Sequence, residues 1–180
     1  LIVSSIMSKK LAAGADVIVL DVKSGSGGFM KTVPEAQELA REMVHVGRAA
    51  GKKTVAVITD MDEPLGFAVG NALEVKEAIS VLRGENVGDV VELCLELGGN
   101  ILVESGVSPD IETAKETLAR SLKDGTALDK LAEFVEAQGG DRRAVYDTSL
   151  LPEAPVKLEV ESKQSGFVRH MKTDGVGLVS

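Results

Sequence analysis

Two continuous apolar runs, ADVIVLDVK at residues 15–23 and KKTVAVITD at 52–60, constrain this chain more than anything else in it. Both are rich in Val and Ile and neither alternates with polar residues. That pattern suits strands buried on both faces, the habit of parallel sheets. Parallel neighbours need a crossover of a dozen or more residues. The segment between the runs supplies one: a loop, SGSGG at 24–28, then PEAQELAREMVHVGRAAG from Pro34, with acidic residues in its first turn where the helix dipole favours them. Strand, loop, helix and strand in this order predict a right-handed βαβ unit with the helix packed across two parallel neighbours.

The flanking sequence is mainly helical. LIVSSIMSKKLAAGAD predicts a helix to about Leu11 or Ala13, stopped by Gly14. Four more helical stretches follow at 66–84, 87–106, 108–125 and 126–141, with Ser108 and Pro109 as the start signal of the third. From Pro152 the pattern changes. APVKLEVESKQSGFVRHM alternates apolar and polar residues, as antiparallel strands around a turn would. A boundary is expected within 148–155, followed by the start of an α+β C-terminal domain. Both ends read as cut, and the closing TDGVGLVS reads as the middle of a strand-rich region.

Composition narrows the function. The 44% apolar and 27% charged residues are those of a globular protein, and no apolar run approaches the ~20 residues of a membrane span. A net charge of −8 with no Trp and one Tyr offers neither a basic stripe nor a stacking platform for nucleic acid. Cys94 is the only cysteine, so an intrachain disulfide is excluded and a reducing cytoplasm is expected.

Three stretches carry candidate chemistry. DVKSGSGGFMKT fits neither the dinucleotide fingerprint nor the phosphate-loop pattern. It is either a ligand loop at the carboxyl end of a parallel strand, with Lys23, Ser24 and Ser26 available, or a solvated turn. On the opening helix, Ser5 and Lys9 are four apart and share a face, with Ile2 and Ile6 beside them. Such a face can hold a flat heterocycle, apolar against its ring and polar at its edge, or can simply be solvated. Asp60, Asp62 and Glu63 precede a helix and read as dipole-capping charge rather than a divalent-metal site. His45 and His170 lack metal-ligand neighbours at helical spacing and read as packed or solvated.

SIMSKKLAAGADVIVLDVKSGSGGFMKT and TDMDEPLGFAVGNALEVKEAI, together with ELCLELGGNILV and FVEAQGGD, closely resemble the thymidine and pyrimidine-nucleoside phosphorylase family over essentially the whole chain. GFAVGNALEVKEAI is nearer the broad-specificity bacterial type. The resemblance implies cleavage of pyrimidine nucleosides by inorganic phosphate to free base and pentose 1-phosphate, with no organic cofactor. It also implies a homodimer whose small helical domain and large α/β domain enclose the active site. Residues 1–13 then belong to the small, pyrimidine-binding domain, 14–150 to the large domain and 151–180 to the C-terminal region.

By resemblance Ser5 and Lys9 hold the pyrimidine, with Ile6 beside it and Lys9 as the catalytic group. Leu65 and Ala68 through carbonyls and Glu77 through its carboxylate would ligate a monovalent cation, potassium. The family's phosphate-binding segment and a pyrimidine-contacting arginine lie upstream of these residues, and GSGGF stands for the commoner GSGAF. Two other readings stay open. One is an anthranilate phosphoribosyltransferase, which shares the fold but lacks the SKK motif. The other is a non-catalytic remnant of the fold.

Overall fold

The computed structural model describes residues 1–85 and 88–180. Its centre is the expected unit. A first helix, α1 (Ile2–Ala12), ends at Gly14, whose φ of 78° is the left-handed value a helix stop favours. Strand β1 (Val17–Ser24), helix α2 (Val33–Ala49) and strand β2 (Lys53–Asp60) follow. The strands pair in parallel, from Val17 opposite Lys53 to Ser24 opposite Asp60.

Helix α2 starts at a capping box one step earlier than Pro34 alone predicts. The Thr32 hydroxyl accepts the Glu35 N–H, and Glu35 Oε2 accepts the Thr32 N–H at 3.0 Å. Its buried residues Ala36, Ala40, Met43 and Gly47 recur at helical spacing and lie over the sheet. Ile18, Leu20 and Val22 of β1 face them, and Met7 of α1 completes the core. The approach is tightest at Gly47, where an added Cβ would stand 2.2 Å from Thr54 Oγ1 of β2.

The second face of the sheet departs from expectation. Val17, Val19 and Lys23 are only half-buried and Asp21 is exposed. Only one helix, α4 (Gly88–Glu104), adds substantial cover to β1 among the described residues. β1 is therefore fully covered on its α2 side and partly on the other, while β2 is only half-buried apart from Thr54.

Before α4, the stretch expected to be helical from residue 66 forms a loop and becomes helix α3 only at Asn71–Leu82. Gly66 and Gly70 have φ of 71° and 110°, which a helix cannot contain. The expected start of the next helix at Val87 lies outside the described residues. Helix α5 (Ile111–Lys123) begins two residues later than Ser108 and Pro109 predict, because Asp110 is the cap and accepts the Thr113 N–H at 2.8 Å. It packs on α4 through an ion pair in which Lys115 holds the Glu96 carboxyl below the usual carboxylate range. Helices α6 (Thr126–Ala137) and α7 (Arg143–Tyr146) complete the helical layer. Arg83 fastens α7 by donating to the carbonyls of Val145 and Tyr146 at 3.1 and 2.7 Å.

At the C-terminus the local pattern differs from the expected strands. No strand ladder forms over 152–172, and a short helix, α8 (Thr173–Val179), stands where a strand-rich region was expected. Val156, Leu158, Val160, Phe167 and Val168 are 78–102% exposed. Alternation yields a strand only where another strand accepts its hydrogen bonds, and none is at hand here.

Candidate functional site

Helix α1 rests on the core through Val3, Ile6, Met7 and Leu11. This stripe turns Ser5 and Lys9, one turn apart, to the exposed side of the helix. Ile6 lies between the two faces. It packs against the core and also lines a cleft of about 260 Å³ with Lys23, Gly27, Gly28, Phe29 and Met30. Ile6 is thus the residue of α1 that meets the Gly-rich loop, and Ser5 and Lys9 do not line this cleft.

That loop is tightly bonded. The Gly25 N–H donates to the Met30 carbonyl at 3.0 Å, Gly27 to Met61 at 2.9 Å and Gly28 to Gly25 at 3.0 Å. The Ser26 N–H donates to Asp62 Oδ1 at 2.8 Å. Anion-binding loops present free N–H groups, and here all four are engaged. The loop is therefore a shaped wall, not a phosphate cradle. Gly25 has a φ of 125°, and a Cβ there would meet the Asp62 backbone nitrogen at 2.7 Å.

Two groups grip this wall that sequence reading missed. Lys31 Nζ donates to the carbonyls of Ser26 and Gly28, each at 2.9 Å. Asp62 was expected to cap a helix dipole, yet α3 starts only at Asn71 and the carboxylate serves the loop instead. Asp60 accepts the Asp62 N–H at 2.9 Å and so shapes the same turn. From the far end of the chain, the Thr173 N–H reaches Ser26 Oγ at 3.4 Å, and that hydroxyl also lies 3.4 Å from the Met171 carbonyl. No local motif announces contacts across such a sequence distance.

The remaining candidates separate. Lys23 pairs with Asp21 at 2.7 Å, and Thr59 donates to the same carboxylate. Burial pushes the Cys94 thiol up, and nearby Lys23 opposes it. His170 joins Asp60, Asp62 and Glu63 around a pocket of about 290 Å³. His45 lines a groove of about 920 Å³ between α2 and β2, which includes no residue of α1. Among the described residues no three His, Cys, Asp or Glu side chains are placed to hold a metal ion.

Glu77 does meet the loop at 65–68. Its Oε1 accepts the N–H groups of Phe67 at 2.8 Å and Ala68 at 3.2 Å. Its Oε2 faces the concave side of Gly66, 2.3 Å from where a Cβ would stand. Oε1 is thus taken by two N–H groups of the loop, and Oε2 stands against Gly66.

Residues 1–128 match the glycosyl transferase family, a/b domain. The chain is 51% identical over 177 residues to the pyrimidine-nucleoside phosphorylase of Geobacillus stearothermophilus, covering 98% of this chain and 41% of that protein. It is 49% identical over 180 residues to the enzyme of that name from Bacillus subtilis strain 168, and 46% identical to that of Staphylococcus aureus strain USA300, covering 100% of this chain and 42% of each. The chain spans about two fifths of the length of the curated relatives it matches.

Proposed function

This chain belongs to the glycosyl transferase family, whose a/b domain it carries, and from that premise we propose that its full-length protein phosphorolyses pyrimidine nucleosides. Inorganic phosphate is the co-substrate, and free base and pentose 1-phosphate are the products. The observation that carries the reading is that Ser5 and Lys9 share the exposed face of α1, while Ile6 between them in sequence lines a cleft with the Gly-rich loop. As the glycosidic bond breaks, the sugar becomes cation-like and negative charge builds on the pyrimidine carbonyls and N3. The Lys9 ammonium stabilises that charge more in the transition state than in the ground state, which lowers the barrier. Ser5 donates or accepts at the same edge and fixes the orientation of the base. Phosphate binds through residues outside this chain, in keeping with the engaged N–H groups of the Gly-rich loop.

The same reading divides the chain into 1–13, a helix of a small pyrimidine-binding domain, 14–150, the large domain, and 151–180, the beginning of a C-terminal region. It makes the protein a cytoplasmic homodimer that binds no nucleic acid. No described helix is long and apolar enough to cross a membrane.

The test is phosphate-dependent release of uracil or thymine from uridine and thymidine, run on the full-length protein and on residues 1–180 side by side. Activity is expected in the first and none in the second. Turnover by residues 1–180 alone would overturn the assignment of phosphate binding to other residues, and an inactive full-length protein would overturn the activity.

Leu65, Ala68 and Glu77 are proposed as this chain's share of a potassium site. Potassium chloride should then raise the thermal midpoint of the full-length protein above its value in choline chloride, by about 1.5–2 °C at ten times the dissociation constant. Glu77→Gln keeps an oxygen for the Phe67 and Ala68 N–H groups and removes the charge, so it should abolish the potassium increment. An equal increment in both proteins would place the cation elsewhere.

A further inference from the structure

Three of the four residues from Gly25 to Gly28 are glycines, and such a segment has more freedom to lose on ordering than any other. Left to itself it would be a poor wall for a binding cleft. The structure holds it at one residue, Ser26, through the peptide groups on either side. Asp62 Oδ1 accepts the Ser26 N–H at 2.8 Å, and Lys31 Nζ donates to the Ser26 carbonyl at 2.9 Å. Hydrogen bonds with an ionised partner are the stronger kind, so an anion and a cation clamp the same residue. Lys31 also takes the Gly28 carbonyl, which precedes Phe29 directly. Asp62 Oδ1 packs so closely on Gly25 that a Cβ there would approach it to 2.9 Å. Neither residue lines the cleft shared by Ile6, Gly27, Gly28 and Phe29, although both decide where its loop wall stands.

Resting on the phosphorylase reading above, we propose that Asp62 and Lys31 are a coupled pair of positioning residues that hold the Gly-rich loop against α1 and thereby set the affinity for the nucleoside. They touch neither base nor phosphate. Their loss loosens the wall before and during the reaction alike, which weakens uniform binding and leaves the chemical step nearly intact. Because both hold the same residue, Ser26, their effects are not independent.

The experiment uses the full-length enzyme with Asp62→Ala, Lys31→Met, the double variant and the conservative Asp62→Asn, which retains an acceptor oxygen. Steady-state kinetics with uridine and with inorganic phosphate are measured separately. Each of the first two should raise the uridine KM by about threefold to tenfold, the scale of one lost charge-assisted hydrogen bond at an exposed site. The phosphate KM and kcat should stay within about twofold under the same uniform-binding argument. The double variant should be less impaired than the product of the singles, and Asp62→Asn should recover most of the affinity. Equal rises in both KM values, a fall in kcat at constant KM, or independent multiplication of the singles would overturn the proposal. Should Asp62→Ala fail to fold, Lys31→Met and Asp62→Asn decide it by the same criteria. A wild-type enzyme that releases no base would instead overturn the phosphorylase reading.

Discussion

Lys9→Met in the full-length enzyme should lower kcat/KM for a pyrimidine nucleoside by about a hundredfold or more, the loss of a preorganised charge donor worth roughly 3 kcal/mol in the transition state. Met keeps a similar shape and helix propensity, so α1 and its core contacts through Val3, Ile6, Met7 and Leu11 should survive. The deficit should shrink for a nucleoside whose base carries electron-withdrawing groups, because such a base leaves with less help. Ser5→Ala should cost about 1–2 kcal/mol, as a neutral hydrogen bond would. Lys10, also exposed but about 100° further around the helix, is the control and should tolerate Met. Equal losses at Lys9 and Lys10, or near-normal activity in Lys9→Met, would show that this face of α1 is only a solvated surface.

Gly47→Val should destabilise the full-length protein by about 3 kcal/mol, the upper end of ordinary overpacking. Thr54 is 1% exposed and its hydroxyl donates to the Lys52 carbonyl at 3.2 Å, so it has little room to retreat. An added Cβ at Gly47 also stands 2.9 Å from Thr54 Cβ and 3.0 Å from its Cγ2. Valine therefore pushes α2 away from the sheet and opens the contact beside Met43 and Ala40. Denaturant unfolding should show the loss, and Thr54→Ala in the same protein should recover part of it by removing two of the three clashing atoms. Unchanged stability in Gly47→Val would mean that α2 sits further from β2 than described.

The parts of the fold legible in the residues are those governed by local chemistry. Pro34 and the acidic turn after Thr32 announce α2, and the two Val-rich runs announce β1 and β2 with their parallel pairing. The parts that were not legible depend on partners. The alternation at 156–168 has the period of a strand, but period is necessary for a ladder and not sufficient. Helix α3 begins at Asn71 because two positive-φ glycines interrupt an otherwise helical pattern, and backbone angles are not written in apolar spacing. The same contrast runs through the site. Ser5 and Lys9 share a face by arithmetic alone. Asp62 meets the Gly-rich loop only because strands β1 and β2 end side by side, Lys31 folds back onto it from just beyond, and Thr173 arrives there from the other end of the chain.

The bare apolar side chains from Val156 to Val168 bear on how the protein can be dissected in the laboratory. In residues 1–180 taken alone, such a row of exposed apolar side chains is a natural seed for self-association. Trimming the polypeptide after Leu151 would remove that seed, and it looks like the obvious way to obtain a well-behaved piece. The same cut discards Met171 and Thr173, whose backbone groups meet the Ser26 hydroxyl. The sticky segment is also a brace, so a shortened protein would gain solubility at the expense of order in the loop beside α1.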